Sequence, residues 1–196
     1  MEHQLLALRF GAERVETLDF GSETITIGAD DTIVLTVPPY VATSLVPGLG
    51  APTEFRAIVN AHFRIEPPAQ QPPILGVLNG TVQWLFAFPG RLSVTISAGD
   101  RLIDGPREEL AKTIWNEVAR ITGLTAELPP WQIVRERRAT FEATPEQNAL
   151  RPGAVTAQKN LFLAGDWTDT GLPATIEGSV RSGNRAADLV TAMRQA

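Results

Sequence analysis

The sequence predicts an α+β chain: a mostly antiparallel sheet covered by helices, followed by a strand-turn-helix segment at the carboxyl end. Three observations carry this. Strand-length runs separated by turn residues follow one another from Phe55 to Ser97. A helix with one apolar stripe lies between Asp104 and Gly123. The apolar run Leu161-Phe162-Leu163-Ala164 breaks at Gly165-Asp166 and leads, through a Thr- and Gly-rich loop, into a helical pattern that Pro173 is expected to open. Proline suits the first helical turn, where its missing N–H would be unpaired anyway.

In chain order, Leu5 to Leu8 reads as a strand or the tail of a helix. Arg14 to Phe20 and Thr24 to Ile27 read as a hairpin turning at Gly21-Ser22. Thr32 to Val37 is a continuous run, as in strands buried on both faces, and Pro38-Pro39 ends it. A short helix is expected from Pro39 to Val46, stopped by Pro47-Gly48. Four strands follow: Phe55 to Ile65, Ile74 to Leu78, Val82 to Phe88 and Leu92 to Ser97. Asn79-Gly80 and Pro89-Gly90 are their turn signals. Pro67 to Pro73 reads as an exposed loop. Trp84, Phe86 and Phe88 share one strand face by the two-residue period. That face either packs under a helix or lines an apolar cavity. His62, alone in its strand, reads as structural.

Pro106 lies in the first turn of the clearest helix, and Glu108 and Glu109 complement its dipole. Leu110, Ile114, Val118 and Ile121 form its stripe, widened by Ala111 and Trp115, and Gly123 ends it. Gln132 to Phe141 carries Arg135, Arg137 and Arg138, the pattern of a solvated edge strand. Glu142 to Val155 reads as loop with one helical turn. In the last helix Gly178, Ser179, Ser182 and Gly183 leave a face almost bare. Each glycine costs about 1 kcal/mol against alanine there, which suggests close approach of something flat.

Bulk composition narrows the function classes. The 196 residues are 43% apolar and 20% charged, with a net charge of −5. That is ordinary for a folded chain and argues against a nucleic-acid partner. Without cysteine there is no thiolate metal site, and two histidines far apart, His3 and His62, do not suggest a metal centre. No apolar run reaches the ~18 residues that span a bilayer, and the amino terminus lacks the pattern of a secretory signal. A cytoplasmic location is the default. No GxSxG, HExxH or spaced His/Asp cluster offers a nucleophile–base pair, so no catalytic side chain is assigned.

AGDWT followed by GLPATIEGSVRSGNRAA resembles the C-terminal flavin-binding signature of the amine oxidase and phytoene desaturase superfamily. GDWTDTGLPATIEG is most similar to the squalene-associated FAD-dependent desaturases, or hydroxysqualene dehydroxylases. The resemblance implies FAD as cofactor. Asp166, after Gly165, would hydrogen-bond the ribityl or pyrophosphate region, and the backbone at Ala174, Thr175 and Ile176 would lie under the O2/N1 edge of the ring. Val15 would contact the adenine through its backbone, or is an ordinary core strand residue. Trp84, Phe86 and Phe88 would line a tunnel for a long apolar isoprenoid, and one arginine of the 135–138 run, if that strand is more than a solvated edge, would meet an FAD phosphate or pair with an acid near the flavin.

The same resemblance covers only the C-terminal half of such proteins. No GxGxxG is present, and Gly48-Leu49-Gly50, the nearest spacing, lacks the third glycine. The chain therefore reads as a fragment or truncated product, with the N-terminal Rossmann half absent and weak or no binding of FAD on its own. Residues 1–40 would belong to the FAD-domain side, 41–141 to the substrate-binding sheet and helix, and 142–196 to the FAD-contacting segment. Exposed apolar faces, where the missing half would pack, are expected to pair two copies or to touch a membrane. The implied activity is conversion of hydroxysqualene to squalene for hopanoid synthesis. A carotenoid desaturase, an amine oxidase and a non-catalytic lipid-binding or interaction module remain open beside it.

Overall fold

The computed structural model describes residues 4–125 and 127–195; His3 lies outside them. In order, the elements are β1 (Ala7–Phe10), β2 (Val15–Asp19), β3 (Thr24–Thr26), β4 (Ile33–Leu35), α1 (Pro39–Leu45), β5 (Phe55–Phe63), β6 (Ile74–Gly76), β7 (Trp84–Phe88) and β8 (Arg91–Ile96). They continue with α2 (Arg107–Thr122), β9 (Trp131–Phe141), α3 (Pro145–Ala149), β10 (Leu161–Leu163) and α4 (Ile176–Gln195). This is a mixed α/β chain whose sheets are mostly antiparallel. It divides into two compact units, Met1–Glu54 with Phe141–Ala196, and Phe55–Thr140. Residues 41–54, read above with the substrate sheet, group with the first unit.

The second unit is built on a five-stranded sheet in the order β6-β7-β8-β5-β9. Along β5 the residues Ala57, Val59, Ala61 and Phe63 are buried while their neighbours are partly exposed, the period-two pattern of a sheet with one covered face. The cover is α2. Its Leu110, Ala111, Ile114, Trp115 and Val118 enter one core with Leu85, Leu92, Val94, Ile96 and Ile133, and the Phe63 and Trp115 rings sit 5.1 Å apart. Pro106 is the N-cap of α2, and Gly123 ends it in the left-handed conformation at φ 72°. The strand rich in arginine, β9, lies at the edge. Asn79-Gly80 does not form a two-residue hairpin. Gly76 pairs with Trp84, so seven residues join β6 to β7, with Asn79 at φ 60°.

The first unit holds the antiparallel sheet β1-β2-β3 and a parallel pair, β4 and β10. The run at Thr32 to Val37 is not buried on both faces: β4 is three residues long, with Leu35 buried and Val34 39% exposed. Among the described residues β10 alone pairs with it. Asn160, 0% exposed, ties these pieces together. Its carboxamide accepts the Val15 amide at 2.8 Å and donates to the Val15 carbonyl at 3.0 Å, while its own carbonyl accepts the Ile33 amide.

Proline does not open α4. The helix begins at Ile176, and Thr175 caps it by accepting the Gly178 amide at 3.0 Å. The small residues also divide differently from the expectation. Gly178 and Ser182, with Ala186, face inward, and Ala186 packs with Phe162 and Ala164 of the β10 segment. A Cβ on Gly178 would lie 2.9 Å from the Pro173 carbonyl. Ser179 and Gly183 face outward, and a Cβ on Gly183 would meet nothing within 4 Å. The close approach that the inward pair permits is therefore one between protein segments.

Candidate functional site

The loop from Gly165 to Thr175 joins β10 to α4, and its shape is set by three anchors. Gly165 has φ 151°, and a Cβ there would lie 2.5 Å from the Trp167 indole nitrogen, so no other residue fits without displacing that ring. The indole N–H donates to the Val37 carbonyl at 3.0 Å, behind the loop. Ser182 reaches back from α4: its hydroxyl accepts the Gly165 amide at 2.9 Å and is bonded to the Thr168 hydroxyl at 2.7 Å.

Arg151 is the third anchor, and sequence reasoning passed over it. It follows α3 in the segment read as loop, and it is only 9% exposed. Its guanidinium donates to the Asp166 carbonyl at 3.2 Å, the Thr168 carbonyl, the Thr170 hydroxyl at 3.3 Å and the Asn148 side chain at 3.2 Å, and it lies over the Phe141 ring at 5.0 Å. A planar fork with several donors suits such a cluster of acceptors in a way lysine would not. Burial pushes its pKa below the ordinary value, against the pull of Asp169 and Asp166. No run of charge marks this arginine in the sequence. The available signal was a lone Arg before Pro152, upstream of a loop rich in carbonyls and hydroxyls.

Asp166 is half-buried rather than part of a packed core. Burial raises its carboxyl pKa, opposed by the backbone amides of Asp166 and Trp167 and by Arg151. The start of α4 is open: Thr175 is exposed, Ala174 is partly exposed and Ile176 is 86% exposed. The Ile176 and Glu177 amides, in the first helical turn, have no intrahelical acceptor. An acid, a turn of backbone amides and an open helix start therefore lie in one stretch. The amides fit an anionic or polarised oxygen, as the O2/N1 edge of a reduced flavin would present, and the Asp166 carboxylate, an acceptor, fits a hydroxyl. A cavity of about 430 Å³ opens beside the loop, lined by Phe141, Thr144, Asn148, Arg151, Asp169 and Leu172 among others.

Val15 lies away from this turn in sequence and is 1% exposed. Its N–H and C=O are both taken by Asn160. An adenine on the Val15 backbone would have to share or displace that carboxamide, which offers the same adjacent donor and acceptor.

In the second unit, Trp84, Phe86 and Phe88 point away from the α2 core. Leu85 between them is fully buried, whereas Trp84 is 47% and Phe88 43% exposed. Their face is thus not packed under a helix. Cross-strand pairing sets Trp84 beside Thr95 and Asn60, and Phe86 beside Ser93 and His62. The Thr95 hydroxyl bonds Asn60 at 2.7 Å, and Ser93 bonds His62 Nδ1 at 2.9 Å. The aromatic strip is flanked by a polar ladder on the same open face.

Comparison with known proteins shows the family. Over 195 residues the chain is 66% identical to the hydroxysqualene dehydroxylase of Rhodopseudomonas palustris, a match that spans 99% of this chain and 47% of the relative. The enzyme of the same name from Zymomonas mobilis is 46% identical over 95% of this chain and 45% of its own length. The chain spans about half the length of the curated relatives it matches. Among solved structures, a putrescine oxidase aligns at a TM-score of 0.70 and 16% identity, covering 95% of this chain and 48% of that one. An oxidoreductase from Methanosarcina mazei aligns at 0.64 and 11%, covering 98% and 49%. At such identities they speak for the fold alone. The family described as flavin containing amine oxidoreductase matches residues 1–191, and the chain belongs to that family.

Proposed function

We propose that this chain provides the substrate-binding sheet and the C-terminal cofactor-contacting segment of an FAD-dependent oxidoreductase that converts hydroxysqualene to squalene. The observation that carries the reading is the 66% identity to a hydroxysqualene dehydroxylase across 99% of the chain. Reduced flavin supplies the hydride for such a reaction. The C–O bond breaks, the hydroxyl leaves with one proton as water, and the carbon takes the hydride.

The chain's own residues have three tasks in this reading. Asp166 accepts hydrogen bonds from hydroxyls of the cofactor's ribityl region, and Arg151 holds the loop that carries it. The amides at the open start of α4 stabilise negative charge on the pyrimidine edge. Trp84, Phe86 and Phe88 hold the hydrocarbon and keep water from the carbocation formed as the hydroxyl leaves. None of the three needs a protein nucleophile.

The test joins this chain to the N-terminal portion of the Rhodopseudomonas palustris relative and supplies hydroxysqualene with reduced FAD. Squalene is the expected product. A yellow, folded hybrid that leaves hydroxysqualene untouched would refute the substrate assignment while keeping the flavin site. A folded hybrid that never retains flavin would refute the cofactor reading as well.

A further inference from the structure

A second polar cavity, of about 350 Å³, opens in the unit formed by Phe55–Thr140. Its lining includes His62, Arg64, Arg91, Trp131 and Gln132. Neither Arg64 nor Arg91 forms an ion pair among the described residues. Arg91 instead lies over the Phe88 ring, 4.7 Å from its centroid. The Glu66 carboxylate beside the cavity is engaged on the Gly90 amide at 2.8 Å. In a chain of net charge −5, two guanidinium groups left without carboxylates in one cavity are a local reversal of sign.

His62 adds a polar ring. Burial and the nearby Arg91 lower its pKa, which favours the neutral ring. Its Nδ1 is hydrogen-bonded to the Ser93 hydroxyl at 2.9 Å, which holds the ring in place at the cavity wall. Arginine forks match the oxygens of phosphate bidentately, and the His62 imidazole and the Gln132 carboxamide add polar partners in a lining that itself includes no acid.

The cavity also abuts the aromatic strip. Phe86 is the cross-strand neighbour of Ser93, which pairs with His62, and Phe88 pairs with Arg91. Adjacent strands are about 4.8 Å apart, so a phosphate held by the arginines would have apolar ring surface within roughly 10 Å.

We infer that this cavity binds a phosphate or diphosphate group borne on an apolar tail, the arginines taking the head and the Phe86–Phe88 strip the tail. Two sources share that chemistry: a soluble isoprenoid diphosphate, and the headgroup of an anionic phospholipid.

The experiment uses the 196-residue chain. Calorimetry measures inorganic pyrophosphate and farnesyl diphosphate, and co-sedimentation measures phosphatidylcholine vesicles with and without phosphatidic acid. The variants are Arg64→Gln and Arg91→Gln, with Arg120→Gln on the outer face of α2 as a charge-matched control. Melting temperatures confirm that each is folded. Binding of farnesyl diphosphate that weakens about tenfold in each cavity variant and is unchanged in the control supports the site with a soluble ligand. Binding only to vesicles with phosphatidic acid, with the same dependence on Arg64 and Arg91, supports it with a lipid headgroup. Absence of binding in every arm overturns the inference, as does an equal loss in all three variants.

Discussion

Replacing Arg151 by methionine tests whether one buried cation organises the loop from Gly165 to Thr175. The wild-type guanidinium donates four hydrogen bonds, to the carbonyls of Asp166 and Thr168 and to the side chains of Thr170 and Asn148. Three of these are 3.2–3.3 Å long, at the weak end of the usual range. They are taken at about 1 kcal/mol each, and the shorter bond to Thr168 at about 2. Methionine fills part of the volume and removes the cost of burying a charge, which returns about 2 to 3 kcal/mol. The net destabilisation is then about 2 to 3 kcal/mol, a fall in melting temperature of roughly 5–10 °C for a chain of this size. Urea unfolding followed by circular dichroism reads the stability. Hydrogen exchange at the amides of Gly165 and Thr168, which donate to Ser182 and to Gly165, reads the loop. Arg151→Lys should recover less than half the loss, because one ammonium cannot satisfy acceptors spread over three residues of the loop. A methionine variant with wild-type stability and wild-type exchange at these two amides would refute the argument.

Other expectations follow from the same structure. Gly165→Ala places a Cβ 2.5 Å from the Trp167 nitrogen and should cost about 2–4 kcal/mol in urea melts, through strain and loss of the Trp167–Val37 bond. Leu85→Ala should cost about 2–5 kcal/mol, whereas Trp84→Ala, one residue away on the open face, should cost far less and instead reduce binding of an apolar alcohol such as farnesol. Asp166 has a raised pKa, so the ionised form is disfavoured in the fold; stability is fully present below the unfolded pKa and lost as pH rises through the folded one. Asp166→Asn should therefore match the wild type in melting temperature near pH 3 and exceed it increasingly as pH climbs through the carboxylate range. Ile176→Glu, at a site 86% exposed, should leave the melting temperature unchanged and lower self-association measured by light scattering at high concentration.

Legibility in the sequence followed the range of the interactions. α2 was readable from end to end because its signals are local: a proline at the start, a stripe at helical spacing, and a glycine whose φ of 72° closes it. The alternation in β7 separated Leu85 from Trp84 and Phe86. What it could not say was which face α2 would cover, since that depends on where a helix twenty residues downstream folds back. The start of α4 was misread because proline at the first turn competes with a threonine cap, and the local cap won. Asn160 and Arg151 were invisible for another reason. Each satisfies backbone groups of distant segments, 145 residues away for Val15, and no periodicity announces a side chain that acts as a backbone partner. The turn at Gly165-Asp166 stood out as a motif. The reason for the glycine, the edge of Trp167, needed coordinates.

The parallel pairing of β4 with β10 has a bearing on synthesis. Ile33 lies against Leu161, so the first unit cannot close until the ribosome has delivered β10. The second unit is one unbroken stretch, Phe55–Thr140, and can mature as it emerges. For that interval Ile33–Leu35 of β4 wait without their partner strand, with Leu35, buried in the finished fold, lacking β10 beside it, a window for holdases to act. Slowing translation beyond Thr140 should lengthen the window and raise the insoluble fraction.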